Sequence, residues 1–239
     1  MGGGYDKIVT DYANYLARCT GFFTFRTDTE GAYSLTPLYI AEQRNHKQLL
    51  TCGIHAAQEH VIIDATAGVG GDAISFMLDF PHSKVYALEP NATRARMLQQ
   101  NVAAVRESAC VPTADTECVQ GEFADLFGRL EPLLRECTVL YLDPPWGGPA
   151  YHVKPEVHLS LQQHSGAPET DTATDLVACV TRALAAGVQL RTVVLKVPTN
   201  ISSEQRERLH AVPGVRVREF DEWLHGHVGF RTLVLQRAT

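Results

Sequence analysis

Val61-Ile62-Ile63-Asp64-Ala65-Thr66-Ala67-Gly68-Val69-Gly70-Gly71-Asp72 is where the chain settles into a new rhythm. Its β-branched run predicts a strand, its glycines a turn, and residues 72–78 a helix. Such a turn bares backbone N–H groups beside a helix N-terminus, a place suited to a carboxylate or phosphate. The spacing Gly68-x-Gly70-Gly71 is not GxGxxG, so the dinucleotide fingerprint is not met. Residues 84–88 predict a second strand, and Glu89 ends it, 25 positions after Asp64. An acid there can accept both hydroxyls of a ribose; alone, it reads as a solvated strand-end carboxylate. Together the turn and the acid predict a nucleoside ligand. Asp64 and Asp72 would repel a pyrophosphate, which favours S-adenosyl-L-methionine with its cationic amino-acid end.

Outward from this core the pattern repeats. Helices are predicted over 92–105, 171–186 and 202–210, and strands over 117–120, 138–142, 192–195, 215–220 and 230–235. Strands alternating with helices predict an α/β fold with a doubly wound, mostly parallel, seven-stranded sheet. The last connection, 221–229, is too short for a helical crossover, so the final strand is expected to run antiparallel. Residues 147–171 have no periodicity and read as a lid or binding loop. Upstream, Ile8, Tyr12, Tyr15 and Leu16 are spaced for a helix over 5–18. Residues 22–25 are an aromatic cluster and 28–31 a polar turn. Ser34-Leu35-Thr36-Pro37 reads as a helix start, with Thr36 capping and the helix running to about 50. The expected organisation is a small helical extension, 1–50, closing over a domain of residues 51–239.

Composition narrows the function. With 21 basic and 27 acidic residues the net charge is −6. That disfavours gripping a long nucleic acid through many phosphates but allows a compact nucleotide. The six cysteines include no CxxC pair and suit a reducing compartment. No apolar run approaches a bilayer span, and residues 1–5 lack signal-peptide blocks, so neither membrane insertion nor secretion is expected. His152, His158 and His164 share no helical face, and no metal is expected.

The most specific stretch is Tyr141-Leu142-Asp143-Pro144-Pro145-Trp146-Gly147-Gly148-Pro149. It ends the predicted fourth strand, where open α/β sheets bind ligands. Consecutive prolines fix the backbone and aim carbonyls free of competing N–H groups. An acceptor side chain and a proline carbonyl can hold the two hydrogens of an exocyclic amine. Trp146 offers a flat face to a base. Glu122, in Gly121-Glu122-Phe123, can meet an adenine amino group.

These ordered motifs resemble those of class I S-adenosylmethionine-dependent methyltransferases, whose fold is Rossmann-like. The run from Trp146 to Pro149 with Tyr151, and the upstream 30–37 segment, resemble the narrower trimethylguanosine synthase family, which methylates N2 of the 7-methylguanosine RNA cap. The resemblance spans about 25–235. It implies that Asp64, Ala65, Gly68, Gly70, Glu89, Pro90, Glu122, Phe123 and Asp143 hold S-adenosyl-L-methionine. It makes Asp143, Pro144, Pro145 and Trp146 the catalytic run. Trp146, Tyr151, Phe25, Ser34, Thr36, Pro198, Thr199 and Asn200 would bind the cap. A Trp face suits 7-methylguanine because that base is cationic. The resemblance further implies direct in-line transfer without a covalent enzyme intermediate, a capped-RNA substrate, a monomer, and a nuclear or else cytoplasmic location.

Two positions depart from that family. Asp143 stands where Ser is frequent, which also resembles methyltransferases acting on other exocyclic amines, in ribosomal RNA, transfer RNA, DNA or a glutamine side chain. Thr199 stands where members carry the arginine of Pro-Arg-Asn, leaving Lys196, Lys154 and Arg26 as candidate phosphate ligands. A non-enzymatic cofactor- or cap-binding module is the third reading.

Overall fold

The computed structural model describes residues 25–36, 38–109, 112–163, 172–224 and 227–238. The helix expected over 5–18, Pro37 and His164 lie outside them. The chain divides into two compact units, Met1–Gly121 and Glu122–Thr239.

In the first unit, strands β1 (Val61–Asp64), β2 (Lys84–Glu89) and β3 (Asp115–Gln120) pair in parallel. Helices α1 (Thr29–Ser34) and α2 (Leu38–Gln43) precede them, α2 continuing as a π-helical turn over Arg44–Leu49. Helices α3 (Gly71–Asp79) and α4 (Ala92–Ser108) connect the strands. Strands β1 and β2 are short and mostly apolar, as expected where both faces are covered, whereas β3 at the sheet edge is mostly polar. Asn91 caps α4 by accepting the Thr93 and Arg94 amides, worth about 1 kcal/mol.

The second unit carries β4 (Val139–Leu142), the hairpin strands β5 (Ser160–Gln163) and β6 (Thr172–Asp175), β7 (Thr192–Pro198), β8 (Val215–Leu224) and β9 (His227–Arg237). Its helices are α5 (Glu131–Glu136), α6 (Leu176–Ala186) and α7 (Ser203–His210). Strand β4 pairs with β7 in parallel, and β9 runs antiparallel to both β7 and β8. Strand order in the seven-stranded sheet is β3-β2-β1 in the first unit and β4-β7-β9-β8 in the second. This is the doubly wound, mostly parallel α/β class expected, antiparallel last strand included.

Local departures have physical causes. Residues 28–31 are not a turn: Asp28 accepts the Gly31 amide at 2.6 Å and caps α1. Thr36 does not spend its hydroxyl on a cap; it donates to Asp72 at 2.7 Å. Residues 172–175 extend as β6 because they pair with β5, and α6 starts only after Asp175, which caps it. The long loop after β4 is ordered around residues 149–163, with a 3-10 turn over Pro149–Val153 before the hairpin.

Candidate functional site

The glycine turn is built as one piece with its surroundings. Gly68 (φ +54°) and Gly70 (φ +105°) adopt the left-handed conformation that glycine permits. At Gly70 a Cβ would also stand 2.8 Å from Leu98 Cδ1, so α4 approaches the turn too closely for any side chain. Asp64 is fully buried and accepts the Thr66 amide at 3.1 Å. Ala65 is buried beside it.

Glu89 is 6% exposed at the end of β2 and accepts the Asn91 amide at 2.8 Å. Burial pushes its carboxyl above the usual range, opposed by the amides of Asn91 and Gly68 and by the charge of Arg94. The acid and the glycine turn are thus coupled electrostatically, the Gly68 backbone amide helping to favour the charged form of Glu89. Pro90, next in the chain, is exposed.

Asp72 does not stand as an uncompensated charge near that turn. It is 8% exposed and salt-bridged to Arg44 at 2.5 Å. Repulsion of a pyrophosphate by Asp72 is thus removed by its own partner, a correction to the charge argument from sequence.

Three residues of the upstream segment were expected near the acceptor. Phe25 is buried in the cluster of Ala67, Val69, Ala73, Ile74 and Leu98. Thr36 is buried on Asp72. Ser34 is exposed at the end of α1. Sequence reasoning missed Asn101, whose amide binds both the Arg26 backbone and the Val69 carbonyl, each at 2.8 Å. Its signal was an asparagine on the apolar face of a helix.

The second unit holds the other group. Pro144 is buried and Pro145 exposed, while Trp146 is half-buried. The Trp146 Nε1–H is buried and meets no acceptor among the described residues. Tyr151 stands edge-on to the indole at 4.9 Å between centroids, and Phe230 lies tilted at 6.2 Å. Lys196 salt-bridges Asp143 at 2.7 Å, its ammonium 5.4 Å from the Trp146 ring centroid. This commits Lys196 to Asp143. Lys154 lies beside the motif, its Nζ 3.5 Å from where a Gly147 Cβ would stand. Arg26 is exposed.

Pro198 ends β7 opposite Phe230, and Thr199 follows; Asn200 donates to the Tyr151 and Lys154 carbonyls at 2.9 and 2.8 Å. Asn200 thereby pins the turn that carries Tyr151. Glu122 and Asp125 form a reciprocal capping box, and Phe123 is buried against Phe127. Among the described residues no group of three or more His, Cys, Asp or Glu could hold a metal ion. No helix among them is long and apolar enough to cross a membrane.

The architecture is that of a methyltransferase. A human methyltransferase 10 domain containing protein superposes with a TM-score of 0.62 over 98% of both chains, at 13% identity. The METTL16 MTase domain gives 0.65 over all of this chain and 82% of that one, also at 13%. At such identities the likeness is one of fold. The sequence model of the RNA cap guanine-N2 methyltransferases matches residues 59–185, and the chain belongs to that family. A trimethylguanosine synthase from Schizosaccharomyces pombe is 28% identical over 53% of this chain and 48% of its own length. An uncharacterized protein, L320, from Acanthamoeba polyphaga mimivirus is 27% identical over 59% and 46%. The chain spans about half the length of the curated relatives it matches.

Proposed function

We propose that this methyltransferase transfers a methyl group from S-adenosyl-L-methionine to the exocyclic N2 of a 7-methylguanosine RNA cap, giving 2,7-dimethyl- or 2,2,7-trimethylguanosine. The carrying observation is the Asp143-Pro144-Pro145-Trp146 run at the carboxyl end of β4, in a chain of this family. The face of an indole is chemically suited to a cationic base.

The residues fit the donor. Glu89, buried at the end of β2, is the proposed acceptor for the ribose hydroxyls. The open backbone at Gly68, where no atom lies within 4 Å of a would-be Cβ, leaves room for close approach. Asp64, Ala65, Gly70, Pro90, Glu122 and Phe123 complete the proposed donor contacts. When bound, S-adenosyl-L-methionine supplies an electrophilic methyl group. Asp143 and the Pro144 carbonyl accept the two hydrogens of N2 and aim its lone pair; Asp143 then takes the proton released. Because that lone pair is delocalised into the ring, orientation contributes more than basicity. Trp146 fixes the plane of the base, Tyr151 and Asn200 hold its platform, and Ser34 is an acceptor-side contact from the 1–50 extension. A monomer acting in the nucleus, or else the cytoplasm, completes the proposal.

The test is methyl uptake by isolated 7-methylguanosine triphosphate. Absence of uptake contradicts the proposal. Asp143 itself supports a second reading, another exocyclic amine, and equal uptake by unmethylated guanosine triphosphate would favour it.

A further inference from the structure

We propose that the Lys196–Asp143 pair sets the charge presented at the Trp146 ring, which makes both residues determinants of specificity for a cationic over a neutral purine. The inference rests on the reading in which Trp146 receives the guanine base.

Lys196 interrupts a strand of apolar residues, Val193-Val194-Leu195 before it and Val197 after it. It is 5% exposed. A lysine is rarely buried so deeply unless paired. Its ammonium lies 2.7 Å from the Asp143 carboxylate, 5.4 Å from the Trp146 centroid and 5.1 Å from the Phe230 centroid. Two rings and a carboxylate are the parts of a cation site, and here the chain supplies its own cation.

The consequence is electrostatic. With both partners present their charges offset one another, and the ring quadrupole draws a cation to the indole. Removing the ammonium leaves a carboxylate near the ring, which strengthens the pull on a cationic purine. Removing the carboxylate leaves an ammonium, which repels it. A neutral purine responds little to either change. The surrounding charged groups stay constant across such variants. Lys154 lies beside Gly147, Arg231 reaches Asp221 and the Thr199 carbonyl, and Glu222 accepts from Thr232.

The chain has two tryptophans, Trp146 and Trp223. In the full chain carrying Trp223→Phe, quenching of the remaining indole at pH 6 reads the affinities for 7-methylguanosine and guanosine. Lys196→Met should raise the ratio of the two about tenfold or more, the order for one unit charge roughly 10 Å from the bound base at an effective dielectric near 20. Asp143→Asn should lower it comparably, Lys196→Met with Asp143→Asn should restore it, and Lys196→Arg should retain it. A packing role would weaken both nucleosides alike and leave the ratio unchanged. If Lys196→Met does not fold, the isosteric Asp143→Asn decides: an unchanged ratio in it overturns the inference. A parent protein that binds neither nucleoside overturns instead the reading on which the inference rests.

Discussion

Asn101, in the middle of α4, donates to the carbonyl of Val69 in the glycine turn at 2.8 Å. The same side chain, 1% exposed, accepts the Arg26 amide and donates to the Arg26 carbonyl. One buried amide thus ties the turn, the helix and the segment before α1. Asn101→Leu should cost about 2–4 kcal/mol, since buried backbone groups lose their partners. Chemical denaturation measures this. Calorimetry should show S-adenosyl-L-methionine bound more weakly as the turn loosens.

The two turn glycines should behave differently. Gly70→Ala combines φ +105° with a 2.8 Å collision against Leu98, whereas Gly68→Ala has φ +54° and open space. The first should cost several kcal/mol, the second about 1–2 kcal/mol. Thermal melts of both variants check the order.

Arg44→Met should destabilise by about 3–5 kcal/mol, because Asp72 would remain buried without its cation. Adding Asp72→Leu should recover much of the loss. Urea titration of the single and double variants tests this, and a double variant weaker than Arg44→Met contradicts it.

Glu219 joins β8 to α7 through Arg206 and His210, each at 2.7 Å. Hydrogen bonding from Arg206, against opposing burial and with help from His210, pulls its carboxyl from 4.5 down to about 2. A depressed carboxyl stabilises the fold fully above pH 4.5, and that contribution is lost as pH falls toward 2. Glu219→Gln should therefore cost at most about 1 kcal/mol at pH 7, given solvent screening, and progressively less in acid. Stability measured across that window should converge for variant and parent.

The strand, glycine turn and helix at 61–79 were legible because period and composition agree there. The Asp143 to Trp146 run was legible because few other roles fit two prolines and a tryptophan at a strand end. What escaped depends on distant partners. Helix α1 is hidden in Thr29-Glu30-Gly31-Ala32-Tyr33-Ser34, whose glycine resembles a turn but faces Val69 Cγ1, 2.7 Å from where its Cβ would stand. Strands β8 and β9 run through charged residues near a bulge at Glu222/Trp223, which broke the alternation expected of a strand. Strand β6 reads as helix until β5 pairs with it. The Lys196–Asp143 pair joins residues 53 apart, and its local trace was a lysine inside an apolar strand.

The most direct test of the central claim is the position of the added methyl group. Wild-type protein and Trp146→Ala are incubated with labelled S-adenosyl-L-methionine and 7-methylguanosine triphosphate, and the nucleoside product is identified by mass spectrometry. The expected result is label on N2 with wild type and none with Trp146→Ala, which still binds the donor. Label on another atom, or N2 product at an unchanged rate without the indole, contradicts the account.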